Sequence, residues 1–367
     1  MSKIRRALGL MSGTSLDGID IALLETDGEE RVRKLGAQSV AYPEEFRARL
    51  HQALADAAGL ARRDDRPGCL LDVERELTER HADAALRFMG DRMLQPSAID
   101  VIGFHGQTVL HRPGAGLTIQ LGDGQLLADR TGVDVVYDLR AADCAAGGEG
   151  APLAPAYHRA LAAKLPQRPA VFLNIGGVAN VTWIGEDGAL VAFDTGPGNA
   201  MIDDLVSRTT GAPHDTDGGL AASGQADARV VHAYLMHPFF AKPVPKSLDR
   251  NAFAPELIEG LSLADAAATL TAFTVEGIVK AREHMPAEPG LWIVCGGGRR
   301  NRTLMSRLAA RVENAVVPAE AVGLDGDTLE AEAWAYLAVR SLDGLPISWP
   351  ATTGVREPIT GGVLVRA

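Results

Sequence analysis

Residues 4–24 read IRRALGLMSGTSLDGIDIALL, and their pattern decides the fold. Ile4 to Met11 is an apolar run and Ile19 to Leu24 is a second; Ser12 to Gly18 between them are small and mostly polar. Short apolar runs bounded by Gly, Ser and Asp read as strands joined by a turn, and Asp27-Gly28 supplies the next turn signal. The stretch is therefore expected to be a β-hairpin with a polar, glycine-containing tip. The arrangement returns in the second half: Ala170 to Ile175, a Gly176-Gly177 turn, Val178 to Ile184, an Asp187-Gly188 turn, then Leu190 to Phe193. This is a repeat of architecture rather than of sequence. It predicts two similar α/β domains facing one another across a central cleft.

Outward from the first hairpin, Phe46, Leu50, Ala53, Leu54 and Ala57 recur at three- and four-residue spacing, as do Leu77, His81, Ala84 and Phe88, so residues 43–94 read as helical. Strands are expected over 99–104, ending at His105-Gly106, and over 117–121 and 133–139, with a helix near 123–131. The small-residue segment AADCAAGGEGAPLAP (141–155) is taken as the inter-domain crossing. The second half continues with helices over 201–210, 227–236 and 264–281, a polar loop over 242–253, and a strand over 291–295 that ends at Gly296-Gly297-Gly298. Helices after Asn301 and over 328–341 follow. The expected domains are 1–140 and 141–345, with 346–367 as an irregular C-terminal strap.

The chain has 367 residues and a formal charge of −11. An acidic surface argues against nucleic acid and anionic membranes as partners, since both need a positive field. The three cysteines are widely spaced and form no disulfide frame, the N-terminal apolar run is too short for a signal peptide, and no stretch approaches the length of a membrane span, so a cytoplasmic location is expected. Glycine is abundant, with 40 residues, and clusters directly after apolar runs.

That placement suits polyphosphate, which needs backbone N–H donors that can approach closely. Three tips qualify: Ser12 to Gly18, Asn174 to Gly177, and Gly296 to Gly298. No GxxxxGK[ST] loop occurs, and no dinucleotide fingerprint. Asp194 ends an apolar strand before Thr195-Gly196-Pro197-Gly198-Asn199; it reads either as a turn cap or as a general base. Asp17 and Asp20 flank the first tip. They are candidates for holding Mg²⁺ through water, or else a turn residue and a solvated strand residue. His105-Gly106-Gln107-Thr108 crowd polar groups after a buried strand and fit hydrogen bonding to a sugar better than a metal site. Arg140 and Asp143 read as a clamp for a carboxylate or as a surface ion pair. Glu330 is either a ligand contact or a helix-dipole partner.

The chain resembles the anhydro-N-acetylmuramic acid kinases, members of the actin, sugar-kinase and heat-shock-ATPase fold group. The resemblance runs through GLMSGTSLDGID (9–20), FHGQTVLHRP (104–113), IQLGD (119–123), DLRAADCAAGGEGAPLAPAYH (138–158), LNIGGVANVT (173–182), FDTGPGN (193–199), CGGGRRN (295–301) and TGG (360–362). It implies a two-domain, ribonuclease H-like fold with mixed sheets and hairpin phosphate loops. It further implies ATP and Mg²⁺ as cofactors, a small amino-sugar as substrate, and a homodimer. The implied reaction opens the 1,6-anhydro bridge with water and phosphorylates O6. By the resemblance, Asp194 activates the water. Gly13, Thr14, Ser15, Leu16, Asp17, Gly18, Ile19 and Asp20 form the ATP loop; Asn174, Gly176 and Gly177 the second phosphate hairpin; and Gly296, Gly297 and Gly298 the adenosine side. His105, Gly106, Gln107, Thr108, Arg140, Asp143 and Glu330 line the sugar site. Leu139 and Glu149 stand where Phe and Gln are usual, and Arg299-Arg300 replace a less basic pair, placed to touch the nucleotide. Glu149 either disfavours an anionic sugar or is simply solvated.

Overall fold

The computed structural model describes residues 3–367. The chain runs β1 (Arg5–Ser12), β2 (Gly18–Thr26), β3 (Val32–Ala41), α1 (Glu44–Ala57), α2 (Leu70–Asp91), β4 (Val101–Arg112), β5 (Leu117–Leu121), α3 (Gly124–Thr131), β6 (Val135–Tyr137), α4 (Ala141–Ala145) and α5 (Pro155–Ala162). It continues with β7 (Ala170–Ile175), β8 (Val178–Ile184), β9 (Leu190–Pro197), α6 (Ala200–Thr210), α7 (Gly219–Ser223), α8 (Ala228–Leu235), α9 (Leu263–Lys280), β10 (Leu291–Cys295), α10 (Arg302–Val312) and β11 (Ala315–Pro318). It closes with α11 (Leu329–Leu342), α12 (Pro350–Thr353) and β12 (Val363–Val365).

Contacts divide it into two compact units. One holds residues 3–163 with Thr328–Ala367, the other Lys164–Asp327. These joints differ from the expected boundaries after 140 and 345. The segment 141–155 is not a crossing between units: α4 packs on β5 and α5 on α11, inside the first unit. The strap is not wholly irregular either, since β12 pairs antiparallel with β6 and extends the first sheet.

The first sheet has the order β12-β6-β4-β1-β2-β3, with β5 paired to β4. Strands β1, β2 and β3 are antiparallel neighbours, whereas β4 joins β1, and β6 joins β4, in parallel. The second sheet has the order β11-β10-β7-β8-β9, with the same directions in the corresponding places. Set β5 and β12 aside and both sheets read third-second-first-fourth-fifth in their own strands. These matching sheets bear out the two similar domains expected from the repeated hairpins and the mixed, ribonuclease H-like fold that the family resemblance implies.

In the first unit α11 lies against β1 and β4, and two glycines make the approach possible. A Cβ on Gly9 would lie 1.9 Å from the Ala331 carbonyl oxygen, and one on Gly103 2.1 Å from that of Trp334. A continuous core joins β1, β2 and β4 to α1, α2 and α3 through Leu8, Ile21, Phe46, Leu77, Phe88, Phe104 and Leu127. In the second unit α9 and α10 cover the sheet around Val171, Phe193, Ile278, Trp292 and Leu308. Side-chain caps stand at Asp123 for α3, Asp227 for α8, Ser262 for α9 and Asn301 for α10. Each cap satisfies a backbone N–H that has no partner inside its helix.

Strand β4 runs past its expected end. Leu10 faces Phe104 but Ser12 faces Gln107, so β4 carries one extra residue there. Gly106 absorbs the bulge with φ +70°, and a Cβ on it would lie 2.2 Å from the Leu121 carbonyl oxygen. Likewise β9 continues through Asp194 to Pro197, with a bulge opposite Ala179 and Asn180.

Candidate active site

The first tip is a tight turn in which the Leu16 N–H donates to the Gly13 carbonyl (3.2 Å) and Leu16 adopts φ +56°. Leu16 and Ile19 turn their side chains into the core, at 1% and 2% exposure, so only their backbones can serve a ligand. Thr14, Ser15 and Asp17 are exposed. Ser15 Oγ donates to Asp17 Oδ1 (2.8 Å), and Ser39 Oγ donates to Asp20 Oδ1 (2.5 Å). Among the described residues, the Thr14 and Ser15 N–H groups make no hydrogen bond. Buried polar groups brace the tip from behind. Ser12 Oγ donates to Gln107 Oε1 (2.7 Å) and lies 2.9 Å from the Tyr42 hydroxyl, while Gln107 Nε2 donates to the Gly13 carbonyl (3.1 Å).

Beside this brace, His105 is buried in the β4 bulge and stacks on Trp334, with ring centroids 4.6 Å apart. Its Nδ1–H donates to the Ser12 carbonyl (3.1 Å), which leaves Nε2 as acceptor for Arg140 Nε–H (3.1 Å). Burial, with the Arg140 charge acting in the same direction, holds this imidazole neutral, well below its ordinary pKa. Arg140 lies 5.0 Å from the Trp334 ring and donates from Nη1 to the Gly150 carbonyl (2.9 Å); burial lowers its pKa. Among the described residues its Nη2 makes no hydrogen bond. Glu330, at the start of α11, keeps an exposed surface yet is ringed closely enough by protein that desolvation raises its pKa. Arg140 opposes that rise and Asp20 adds to it. Asp20, Arg140 and Glu330 are thus electrostatic neighbours.

Asp143 behaves differently from the sequence expectation of a sugar contact. It is 1% exposed, and both of its carboxylate oxygens are taken, Oδ1 by the Gly150 N–H and Oδ2 by the Thr353 hydroxyl. It forms no ion pair with Arg140. Gln107 and Gly106 are likewise buried braces, and within 105–108 only Thr108 keeps a half-buried side chain, accepting from Gln120 Nε2 (3.2 Å). Leu139 is core. Glu149 is half-buried, and its N–H donates to the Thr353 carbonyl (2.7 Å).

In the second unit the β7–β8 tip and the Gly296–Gly298 segment meet. A Cβ on Gly296, which has φ +72°, would lie 2.3 Å from Asn174 Oδ1, and one on Gly298 2.3 Å from Ile175 Cγ2. Gly198 closes on the same tip, donating its N–H to the Gly177 carbonyl (2.9 Å), and Asn199 Nδ2 donates to the Ile175 carbonyl (3.1 Å). Gly177 and Gly297 are exposed, and among the described residues the Gly177 N–H makes no hydrogen bond. Arg299 does not reach outward. Its side chain, 5% exposed, pairs with Glu320 and Asp327 and donates to the Gly296 carbonyl (2.9 Å), so it props up the glycine segment.

Asp194 sits half-buried in β9, opposite Asn180. Its N–H donates to the Lys246 carbonyl (2.9 Å), and its Oδ2 accepts from the Leu248 N–H (2.8 Å). The loop expected only as polar therefore clamps this carboxylate on two sides. Lys246 anchors the loop: its ammonium donates to the Phe239 and Phe240 carbonyls (3.3 and 3.4 Å) and lies 4.7 Å from the Phe239 ring. Sequence reasoning missed Lys246, Leu248, Tyr42, Trp334 and Asn199 as site residues. Trp334 lies one helical turn after Glu330, and Asn199 closes the FDTGPGN stretch, so both carried a signal.

The residues present fit a polyphosphate nucleotide. In each unit taken by itself, backbone N–H groups that make no hydrogen bond among the described residues lie at the hairpin tip, at Thr14 and Ser15 in the first and at Gly177 in the second. Among the described residues no three His, Cys, Asp or Glu side chains gather as a direct metal cage.

Two units with matching mixed sheets and glycine-tipped hairpins fit the phosphotransferase class. A family model described as "Anhydro-N-acetylmuramic acid kinase" matches residues 5–367, and the chain belongs to that family. A kinase so named from Brucella canis is 52% identical over the full length of both chains. One from Rhodospirillum rubrum is 55% identical over 97% of this chain and 93% of its own. Among solved structures, the Acidaminococcus fermentans (R)-2-hydroxyglutaryl-CoA dehydratase component A matches 92% of this chain and 99% of its own, at 10% identity and a TM-score of 0.48.

Proposed function

We propose that this chain uses ATP and water to convert 1,6-anhydro-N-acetylmuramic acid into N-acetylmuramic acid 6-phosphate and ADP, a step in the reuse of cell-wall sugar. The observation that carries the proposal is the family match over residues 5–367; Asp194, in the FDTGPGN stretch, is the residue the resemblance offers as the base. Asp194 takes a proton from water as the oxygen bonds to the anomeric carbon. The C1–O6 bond breaks, O6 bonds to the γ-phosphorus and ADP leaves, so the phosphoryl group accepts the departing oxygen and no protein acid is needed. The clamp from Leu248 N–H and the Lys246 carbonyl fixes the carboxylate's direction, which a base on a rigid strand requires.

By the family resemblance, Gly13 to Asp20 in the first unit are residues to bind phosphate, and so, in the second unit, are Asn174, Gly176, Gly177 and Gly296 to Gly298. Mg²⁺, when bound, screens phosphate charge, and Asp17 and Asp20 are the residues to hold it through water. Arg140, through Nη2, and Glu330 contact the sugar, with Thr108 beside them, while His105 orients Arg140. Among the described residues no helix is long and apolar enough to cross a membrane; the enzyme acts in the cytoplasm, as a homodimer, on a small sugar and ATP.

The test is Asp194→Asn, assayed for ADP release with and without the anhydro-sugar. We expect the unaltered protein to release ADP only with sugar present. We expect the variant to lose about 10³-fold in kcat with both KM values kept. Near-normal turnover removes Asp194 as the base. Sugar-independent ADP release by the unaltered protein removes the kinase reading.

A further inference from the structure

The C-terminal strap reaches the candidate sugar site through a short buried relay. Thr353, at the end of α12, is fully buried, and its hydroxyl donates to Asp143 Oδ2 (2.6 Å). Asp143 Oδ1 in turn accepts the Gly150 N–H (2.6 Å), and the Gly150 carbonyl accepts from Arg140 Nη1 (2.9 Å). A second link runs alongside, from the Glu149 N–H to the Thr353 carbonyl (2.7 Å). The loop has no slack. A Cβ on Gly148 would lie 2.2 Å from Asp143 Oδ1 and 2.6 Å from Val355 Cγ1, and one on Gly150, which has φ +67°, 2.4 Å from Cys144 Sγ.

A carboxylate so enclosed needs fixed hydrogen-bond donors to replace the water it has lost. Asp143 has two, one from the 148–150 loop and one from the strap, so it ties the two segments together. Arg140 is then fixed at three points: Nη1 on the loop, Nε on His105, and its plane beside Trp334. These contacts leave Nη2 as the group for a ligand.

We infer that Thr353 is a positioning residue of the sugar site, acting through Asp143 and Gly150 to aim Arg140. The inference rests on the proposal that Arg140 contacts the sugar, and it gives a functional part to a segment that the sequence presented only as a strap. Removing the Thr353 hydroxyl leaves Oδ2 of a buried carboxylate without its donor, and the carboxylate recovers a partner only by turning, which releases the Gly150 loop and with it Nη1 of Arg140.

Three variants test it, each with kcat and KM measured for the anhydro-sugar and for ATP and with a melting curve. Thr353→Val keeps the shape and removes the donor; Thr353→Ser keeps the donor and removes a methyl; Arg140→Ala removes the aimed group. We expect Thr353→Val to lose about tenfold in kcat/KM for the sugar, with KM for ATP within twofold of the unaltered protein. Thr353→Ser restores the sugar value, and Arg140→Ala loses more than Thr353→Val. Sugar kinetics unchanged in Thr353→Val, while Arg140→Ala is impaired, overturn the relay alone. Unchanged sugar kinetics in Arg140→Ala overturn the sugar-site assignment beneath it. Equal losses for sugar and ATP in Thr353→Val, or no rescue by Ser, assign Thr353 to general stability and also overturn the inference.

Discussion

The two sheets share strand order and direction, yet their hairpin tips are built differently. The first tip, Gly13 to Asp17, carries exposed hydroxyl and carboxylate side chains and is braced by buried side chains: Ser12, Tyr42 and Gln107. The second tip is two glycines, closed by the Gly198 N–H and the Asn199 side-chain amide, with Gly198, Gly296 and Gly298 packed around it too closely for any side chain. A shared topology thus holds a ligand-facing turn in two ways. The side-chain bracing leaves room for side chains at the first tip, whereas close glycine packing leaves none at the second. The difference extends to each unit's candidate site residues. In the first unit Arg140 and Glu330 come from a loop edge and a helix start, while in the second Asp194 is part of the sheet itself.

The largest test of the comparison concerns the helix–sheet seam of the first unit. Gly9→Ala places a Cβ 1.9 Å from the Ala331 carbonyl, a backbone atom that cannot swing aside. We expect it to cost about 3 kcal/mol or more, read as a lowered denaturation midpoint and faster hydrogen exchange in β1 and β4. Gly277→Ala is the matching change in the second unit. Its Cβ would stop 3.1 Å from the Thr195 carbonyl, so a clearly smaller loss is expected there. Equal losses would mean the two seams are not packed differently.

Next in size is the contrast between tips. Gly296→Ala adds a methyl group 2.3 Å from Asn174 Oδ1 at φ +72°, whereas Gly13→Ala meets nothing nearer than Ser15 Oγ at 3.5 Å. We expect Gly296→Ala to cost about 2 kcal/mol and to raise KM for ATP. We expect Gly13→Ala to change stability by under about 0.5 kcal/mol. Comparable stabilities would erase the distinction between the close-packed and the open tip.

The smallest effect lies in pH dependence. Asp203, in the first turn of α6, has its pKa pushed up to about 6, chiefly by burial. Because the folded state holds this proton at higher pH than the unfolded chain does, stability falls as pH rises from about 4 to about 6 and stays reduced above. Asp203→Asn is therefore expected to gain up to about 2 kcal/mol above pH 6 and nothing below pH 4. Urea titrations at pH 4 and pH 7.5 check this; an equal gain at both would assign the effect to packing instead.

Much of the scaffold was legible because strand and helix periods survive in the local sequence. The hairpins at 4–24 and 170–193, the helices α1, α2 and α9, and the glycine stretch after β10 all appear where the patterns placed them. The misreadings share one cause, a long-range partner. Strand β4 passes through His105 to Arg112 because β5 pairs with its far half across a bulge, and a glycine in that position looks like a strand end. Residues 363–365 become a strand only because β6 offers an edge. Asp143 looks like a clamp residue until Thr353, 210 positions away, occupies it. Lys246 gave no signal at all, since its importance lies in carbonyl groups of a neighbouring turn and in the aspartate its loop holds.

By itself the sequence determined the repeated hairpin architecture, the positions of the glycine turns and the family, because these follow from local hydropathy and from residues read in order. Only the tertiary structure decided which polar residues keep an open face. Glu330 keeps an exposed surface and Arg140, among the described residues, an Nη2 without a hydrogen bond, whereas Gln107, Asp143 and Arg299 spend their hydrogen bonds inside the protein. The physical reason is that a polar side chain is either a ligand contact or a brace according to whether a distant segment satisfies it first.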